Sequence, residues 1–230
     1  MPKTILITGA NGNLGVAAVK KFLTEGYKVI GVDQSGTHLG FAADNDNFEL
    51  RSVDAGNEEA VATFLEEVIA LNGRIDGALL LVGGFAMGDI HTTGAEELHK
   101  MFAINFETAY FFARPLFGHM LENGYGRIVF MGARPALRPE QGVGILGYAL
   151  SKSLLFEFAD ILNATARGKN VVASVVAPSI IDTAINRKSM PDTDPNTWVK
   201  PESIADLLEF ICGDQGDALR EPVYKIYNNA

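Results

Sequence analysis

The chain has 230 residues, 47% of them hydrophobic, a formal net charge of −9, one cysteine and four histidines. That size and apolar content build a single domain with a substantial core, and the acidic balance excludes a nucleic-acid surface. The lone Cys212 excludes an internal disulfide and a multi-cysteine zinc site, and His38, His91, His99 and His119 lack ligand spacing, so no metal is expected.

In chain order, Met1-Pro2-Lys3-Thr4 runs straight into a strand over Lys3–Thr8, without the charged-then-apolar pattern of a signal segment. No apolar run reaches a membrane span, and a cytoplasmic protein is expected. The strand empties into a turn with glycines at 9, 12 and 15, followed by an amphipathic helix over Asn13–Thr24 that carries Leu14, Val19, Phe22 and Leu23. Gly9 supplies the positive φ of a tight turn, Gly12 admits a pyrophosphate to the backbone, and Gly15 lets the helix lie close on the strand. Phosphates then sit at the helix N-terminus, where free N–H groups and the dipole favour negative charge. A second strand, Lys28–Val32, ends in Asp33, about twenty residues beyond the glycines, where a carboxylate accepts both adenosine ribose hydroxyls and repels a 2′-phosphate. No Lys or Arg follows in Gln34-Ser35-Gly36-Thr37, so the expected cofactor is NAD, with NADH preferred over NADPH.

Further strands over Phe48–Ser52, Ala78–Val82, Arg127–Met131, Val171–Val176 and Val223–Ile226 alternate with helical stretches. Several are apolar throughout, as strands buried on both faces are. The predicted fold is α/β, a Rossmann-type doubly wound parallel sheet in one domain, with its crevice at the carboxyl ends of the strands. Pro115 should kink the helix over Thr108–Glu122. The longest irregular segment, Pro178–Lys200, holds the only tryptophan and reads as a lid. Tyr148-Ala-Leu-Ser-Lys152 opens an apolar helix running to Thr165, and residues four apart share a face, so the Tyr148 hydroxyl and the Lys152 ammonium can converge on one ligand. A nearby cation would lower the proton affinity of the phenol toward working pH, as a general acid requires.

With Thr8-Gly9 through Gly15, Asp33, Asp54, Asn105, Tyr148 and Lys152 in this order and spacing, the chain resembles the short-chain dehydrogenase/reductase family over essentially its whole length. The resemblance implies a nicotinamide-dependent oxidoreductase acting on a small molecule. Its cofactor set would be Gly9, Asn11, Gly12, Asn13, Leu14, Gly15, Asp33, Asp54, Val82, Gly83, Gly84, Tyr148, Lys152 and Pro178. It also implies that Asp54 reaches the adenine amino group, that Asn105 holds a relay water in a kinked helix, and that Lys152 binds the nicotinamide ribose. The apolar surplus of helices Thr108–Glu122 and Tyr148–Thr165 suggests a homodimer or higher homo-oligomer.

Two departures set the chain apart. Ala133 stands where the family carries a catalytic serine, and Leu80-Leu-Val-Gly-Gly-Phe85 replaces its usual Asn-Asn-Ala-Gly run. Both resemble the dihydropteridine reductase branch, as does Ile181–Pro191 followed by Trp198, whereas Asn105 follows the general family. The substrate expected from this likeness is a quinonoid dihydropterin, in a slot formed by Phe85, Ala133, Met190 and Trp198. A carbonyl reductase or alcohol dehydrogenase, with a water or Ser179 replacing the missing hydroxyl, and a catalytically silent NAD-sensing regulator are the alternatives.

Overall fold

Strands whose side chains are apolar on both faces need cover on both faces, and the chain provides it. The computed structural model describes residues 2–35 and 39–229, so Gly36, Thr37 and His38, within and just after the base-free run, lie outside the described residues. Strands β1 (Thr4–Thr8), β2 (Lys28–Asp33), β3 (Phe48–Ser52), β4 (Gly77–Leu80), β5 (Tyr125–Met131), β6 (Asn170–Pro178) and β7 (Val223–Ile226) form one sheet in the order β3-β2-β1-β4-β5-β6-β7. Every pair is parallel. The order reverses between β1 and β4, so this is the doubly wound α/β sheet expected, and the switch point opens a crevice beyond their carboxyl ends.

Alternation along each strand divides the core. Leu6, Ala78 and Ile128 face one cluster, covered by α2 (Glu58–Asn72), α4 (Thr108–Asn123) and α5 (Leu146–Thr165). Ile5, Ile7, Leu79 and Val129 face the other, covered by α1 (Asn13–Thr24) and α7 (Pro201–Cys212). Two remaining helices, α3 (Ala95–Phe102) and the short α6 (Ala184–Ser189), lie in the connections after β4 and β6. The Asn57 side chain caps α2 by accepting from the Ala60 N–H, and Gly124 takes a left-handed φ of 73° to end α4 before β5.

Three expectations change. The fourth strand runs Gly77–Leu80, so Leu81 and Val82 already belong to the loop. The segment Pro178–Lys200 is less irregular than its prolines suggest: Pro178 ends β6, α6 occupies its middle, and a parallel bridge between Ile181 and Val199 closes its base. Within the helical stretch after β4, α3 passes into a π-helical turn at Ala103–Glu107 and then into α4, a feature the sequence did not announce, with Pro115 in the interior of α4. Of the aromatic surplus, Phe112 and Phe117 are buried in the chain's own core with Leu116, while Leu150, Leu154 and Ile161 of α5 stay exposed.

At the amino ends of the strands lies a polar cluster. Arg127, 1% exposed, donates to the carbonyls of Gly126, Asn170 and Asp217, and Lys3 pairs with Asp214 at 2.8 Å. The Tyr125 ring lies 5.0 Å from the Lys3 ammonium and 4.6 Å from the Arg127 guanidinium.

Candidate active site

The glycine turn is built as its residue types demand. Gly9 has φ 66°, and Gly12 caps α1 with its carbonyl accepting from the Val16 N–H. A Cβ on Gly15 would lie 2.0 Å from the Gly9 carbonyl, a distance no side chain survives. Asn13 and Leu14 form the first turn of α1 with no acidic residue beside them. The Asp33 carboxylate faces this turn: Oδ2 accepts from the Asn11 N–H at 3.0 Å and Oδ1 from the Ser35 N–H at 3.2 Å. Asn11 in turn donates its side-chain amide to Ser35, leaving its own buried Oδ1 without a partner.

A cavity of about 510 Å³ opens at the switch point. Gly9, Gly12, Asp33, Asp54, Val82 and Gly83 line it, facing Lys100, Ala103, Ile104, Glu107 and Thr108 from the helical stretch after β4. Its volume, the Gly9 and Gly12 backbone in its wall with no side chain in the way, and the Asp33 carboxylate beside them fit a dinucleotide. Asp54 is fixed by accepting from the Gly56 N–H at 3.0 Å.

Beside this cavity the π-turn places Asn105, wholly buried, between the loop after β4 and α5. Its Oδ1 accepts from the Gly84 N–H at 3.0 Å, and its Nδ2 donates to the Gly84 carbonyl at 3.1 Å and to Ser151 Oγ at 3.1 Å. Ser151 donates onward to the Tyr148 carbonyl. Both ends of the Asn105 amide are thus engaged by protein partners. Gly83 separates Asn105 from Lys152: a Cβ there would meet Asn105 Oδ1 at 2.8 Å and Lys152 Nζ at 3.0 Å.

Tyr148 and Lys152 share the first turns of α5, as their spacing predicts. Lys152 Nζ, buried, donates to the Met131 carbonyl at 2.8 Å, and burial alone brings its pKa down to about 8. Burial likewise pushes the Tyr148 hydroxyl up to about 12, and that hydroxyl has no hydrogen-bond partner among the described residues. Phe85, 61% exposed, meets the Tyr148 ring edge-on at 5.1 Å. The loop that carries Phe85 is tied to the loop before α5 by a bridge between Gly88 and Ile145.

Ala133 is buried with only a methyl group to offer. Ser179 is no substitute donor, because its Oγ donates to the Tyr227 carbonyl at 2.7 Å. Trp198 does not line a slot: it is 1% exposed, its carbonyl accepts from the Asn228 side chain, and the next residue, Val199, forms the bridge with Ile181. Met190 is half-buried at the end of α6. Sequence reasoning missed Lys100, Glu107 and Thr108, which helical spacing from Ala103 and Ile104 would have put on one face.

Comparison with known proteins defines the class. Residues 3–194 match the short chain dehydrogenase family, so the chain belongs to that family of nicotinamide-dependent oxidoreductases. It is 29% identical to the acetoacetyl-CoA reductase of Acinetobacter sp. (strain RA3849) over 185 residues, covering 76% of this chain and 73% of the relative. It is 26% identical over 230 residues to the 2,3-dihydro-2,3-dihydroxybenzoate dehydrogenase of Escherichia coli (strain K12), covering 92% and 90%. Neither name is that of a pterin reductase. The fold is shared with ElxO with NADP bound (TM-score 0.92, 20% identity, 99% of this chain and 98% of that one) and with a 4-hydroxyisoleucine dehydrogenase complexed with NADH (0.87, 20%, 98% and 97%). No described helix is long and apolar enough to cross a membrane.

Proposed function

We propose that the chain is an NADH-preferring reductase of a flat, conjugated, electron-poor acceptor, with a quinonoid dihydropterin as preferred substrate and Tyr148 as proton donor. The observation that carries this reading is a Tyr148 hydroxyl that no protein group occupies among the described residues, in a chain that holds the buried methyl of Ala133 at the position of the family's serine. An isolated ketone concentrates charge on one oxygen and gains from two donors, whereas a conjugated ring spreads that charge and needs one. Bound NADH supplies the hydride.

The chain's own residues do the rest. Backbone N–H groups at the start of α1, with Gly12 and Gly15 clearing the approach, hold the pyrophosphate. Asp33, already oriented by the Asn11 and Ser35 N–H groups, accepts from the adenosine ribose and disfavours a 2′-phosphate, and Asp54 takes the adenine side. Val82, Gly83 and Gly84 form the wall nearest Lys152, whose ammonium serves the nicotinamide ribose, and Pro178 closes the end of β6. Tyr148 gives its proton to the reduced acceptor as Phe85 covers one face of the ring. Asn105 braces the π-turn through Gly84 and Ser151 rather than touching the acceptor. Exposed Leu150, Leu154 and Ile161 on α5 support a homodimer, and the lone cysteine and acidic charge support a cytoplasmic location.

A second reading, reduction of an ordinary ketone, is favoured by Asn105 in its π-turn, which follows the general family. Steady-state assays with both acceptors decide. The pterin reading expects a kcat/KM on the order of 10⁴ M⁻¹s⁻¹ or more for the quinonoid dihydropterin. Turnover of a ketone at that efficiency with the pterin ignored would establish the second reading. NADH should bind at least about tenfold more tightly than NADPH, with Asp33→Ala narrowing the gap; equal affinities would remove the preference.

A further inference from the structure

We propose that Lys100 supplies the positive charge for the pyrophosphate of a bound dinucleotide on the helical side of the cleft, an assignment that rests on the dinucleotide reading above. The charges lining the cavity are unbalanced. Asp33, Asp54 and Glu107 contribute carboxylates, and Lys100 is the one cationic residue among the described lining residues. A dinucleotide brings two more negative charges into this cleft, in a chain that already carries a net charge of −9. Backbone N–H groups of the turn supply partial charges only, and the Lys152 ammonium is buried with its proton directed to Met131.

Lys100 is free for the task. It is exposed, and no ion pair or hydrogen bond engages it among the described residues, whereas Lys3 and Lys21 are held by acidic partners. The carboxylates opposite it are engaged by backbone N–H groups, not by a competing base. Its place follows from helical geometry: Lys100, Ala103, Ile104, Glu107 and Thr108 fall at spacings of three and four and turn one face to the cavity. A flexible four-carbon stem ending in a compact charge suits a phosphate group, which needs no planar fork. The pyrophosphate is common to both cofactors, so Lys100 strengthens binding of each without choosing between them.

Direct binding tests this on the full chain. NADH, NADPH, ADP-ribose and adenosine are titrated by fluorescence or competition at several salt concentrations, with the unmodified protein, Lys100→Gln and Lys100→Arg. In Lys100→Gln the Kd should rise roughly tenfold for NADH, NADPH and ADP-ribose, with weaker salt dependence, and stay unchanged for adenosine. Lys100→Arg should bind as the unmodified protein does. Unchanged Kd and salt dependence in Lys100→Gln would overturn the assignment. So would an equal loss for adenosine, which signals packing, or a loss confined to NADPH, which signals the 2′-phosphate. Failure of the unmodified protein to bind any dinucleotide would instead remove the reading on which the assignment rests.

Discussion

At Tyr148 a hydroxyl with a raised pKa of about 12 stands without a hydrogen-bond partner among the described residues. If it is the proton donor, Tyr148→Phe keeps the ring and its edge contact with Phe85 while removing the proton. The rate should fall roughly 10²–10⁴-fold with NADH affinity nearly intact, measured by steady-state kinetics and fluorescence titration. Lys152 titrates in the opposite sense, because burial penalises its charged form and brings it to about 8. Folding holds fewer protons there than the unfolded chain between about pH 8 and the ordinary lysine value, so this group makes the protein gain stability as pH rises through that window. Cofactor binding should run the other way, weakening above about pH 8 as the ammonium that serves the ribose is lost. A Kd profile for NADH from pH 7 to 9 checks this, with Lys152→Gln expected to be flat; identical profiles would discharge the lysine from that role.

Among the elements, the π-turn and the segment after β6 are where structure and sequence part company. Hydrophobic period and glycine spacing made β1, α1, β2, β3 and β7 legible, since these strands and the helix are set by local chemistry. Asn105 could be located from the sequence, but its bonding could not, because Gly84 and Ser151 reach it from elements far along the chain. The Tyr148–Lys152 pair was legible as a shared helical face. The competition of the Met131 carbonyl for that ammonium was not. Trp198 was misread for a similar reason: polar and proline-bearing neighbours suggest an exposed loop, yet the bridge Ile181–Val199 draws it inside. Any lid motion is therefore confined between those bridge residues. Limited proteolysis should cut between Ala184 and Thr197 and be slowed by NADH with an acceptor analogue, while Trp198 emission stays blue and changes little. A large red shift of Trp198 on opening would show that the whole segment from Ser179 moves.

For the molecule as a whole, the parallel sheet separates stability from chemistry. All strands point their carboxyl ends at the cavity, so the Lys3, Tyr125, Arg127 and Asp217 cluster lies at the opposite end of the same strands. Arg127 satisfies three carbonyls from a position that water does not reach. Arg127→Met should cost about 2–4 kcal/mol in urea unfolding by leaving those acceptors unpaired, with NADH affinity unchanged in the folded protein. Loss of cofactor binding in parallel would mean that the two ends are coupled.

The bridge between Gly88 and Ile145 carries a consequence for how this protein can diverge. It joins the loop bearing Phe85 to the loop that launches Tyr148, so neither can shift without the other. Substitutions on the two loops should accordingly be epistatic: a double mutant such as Phe85→Ala with Val143→Ala should differ from the sum of its single effects by about 0.5 kcal/mol or more. Acceptor range in this lineage would then be remodelled by paired changes, and libraries that vary one loop at a time would sample mostly dead ends.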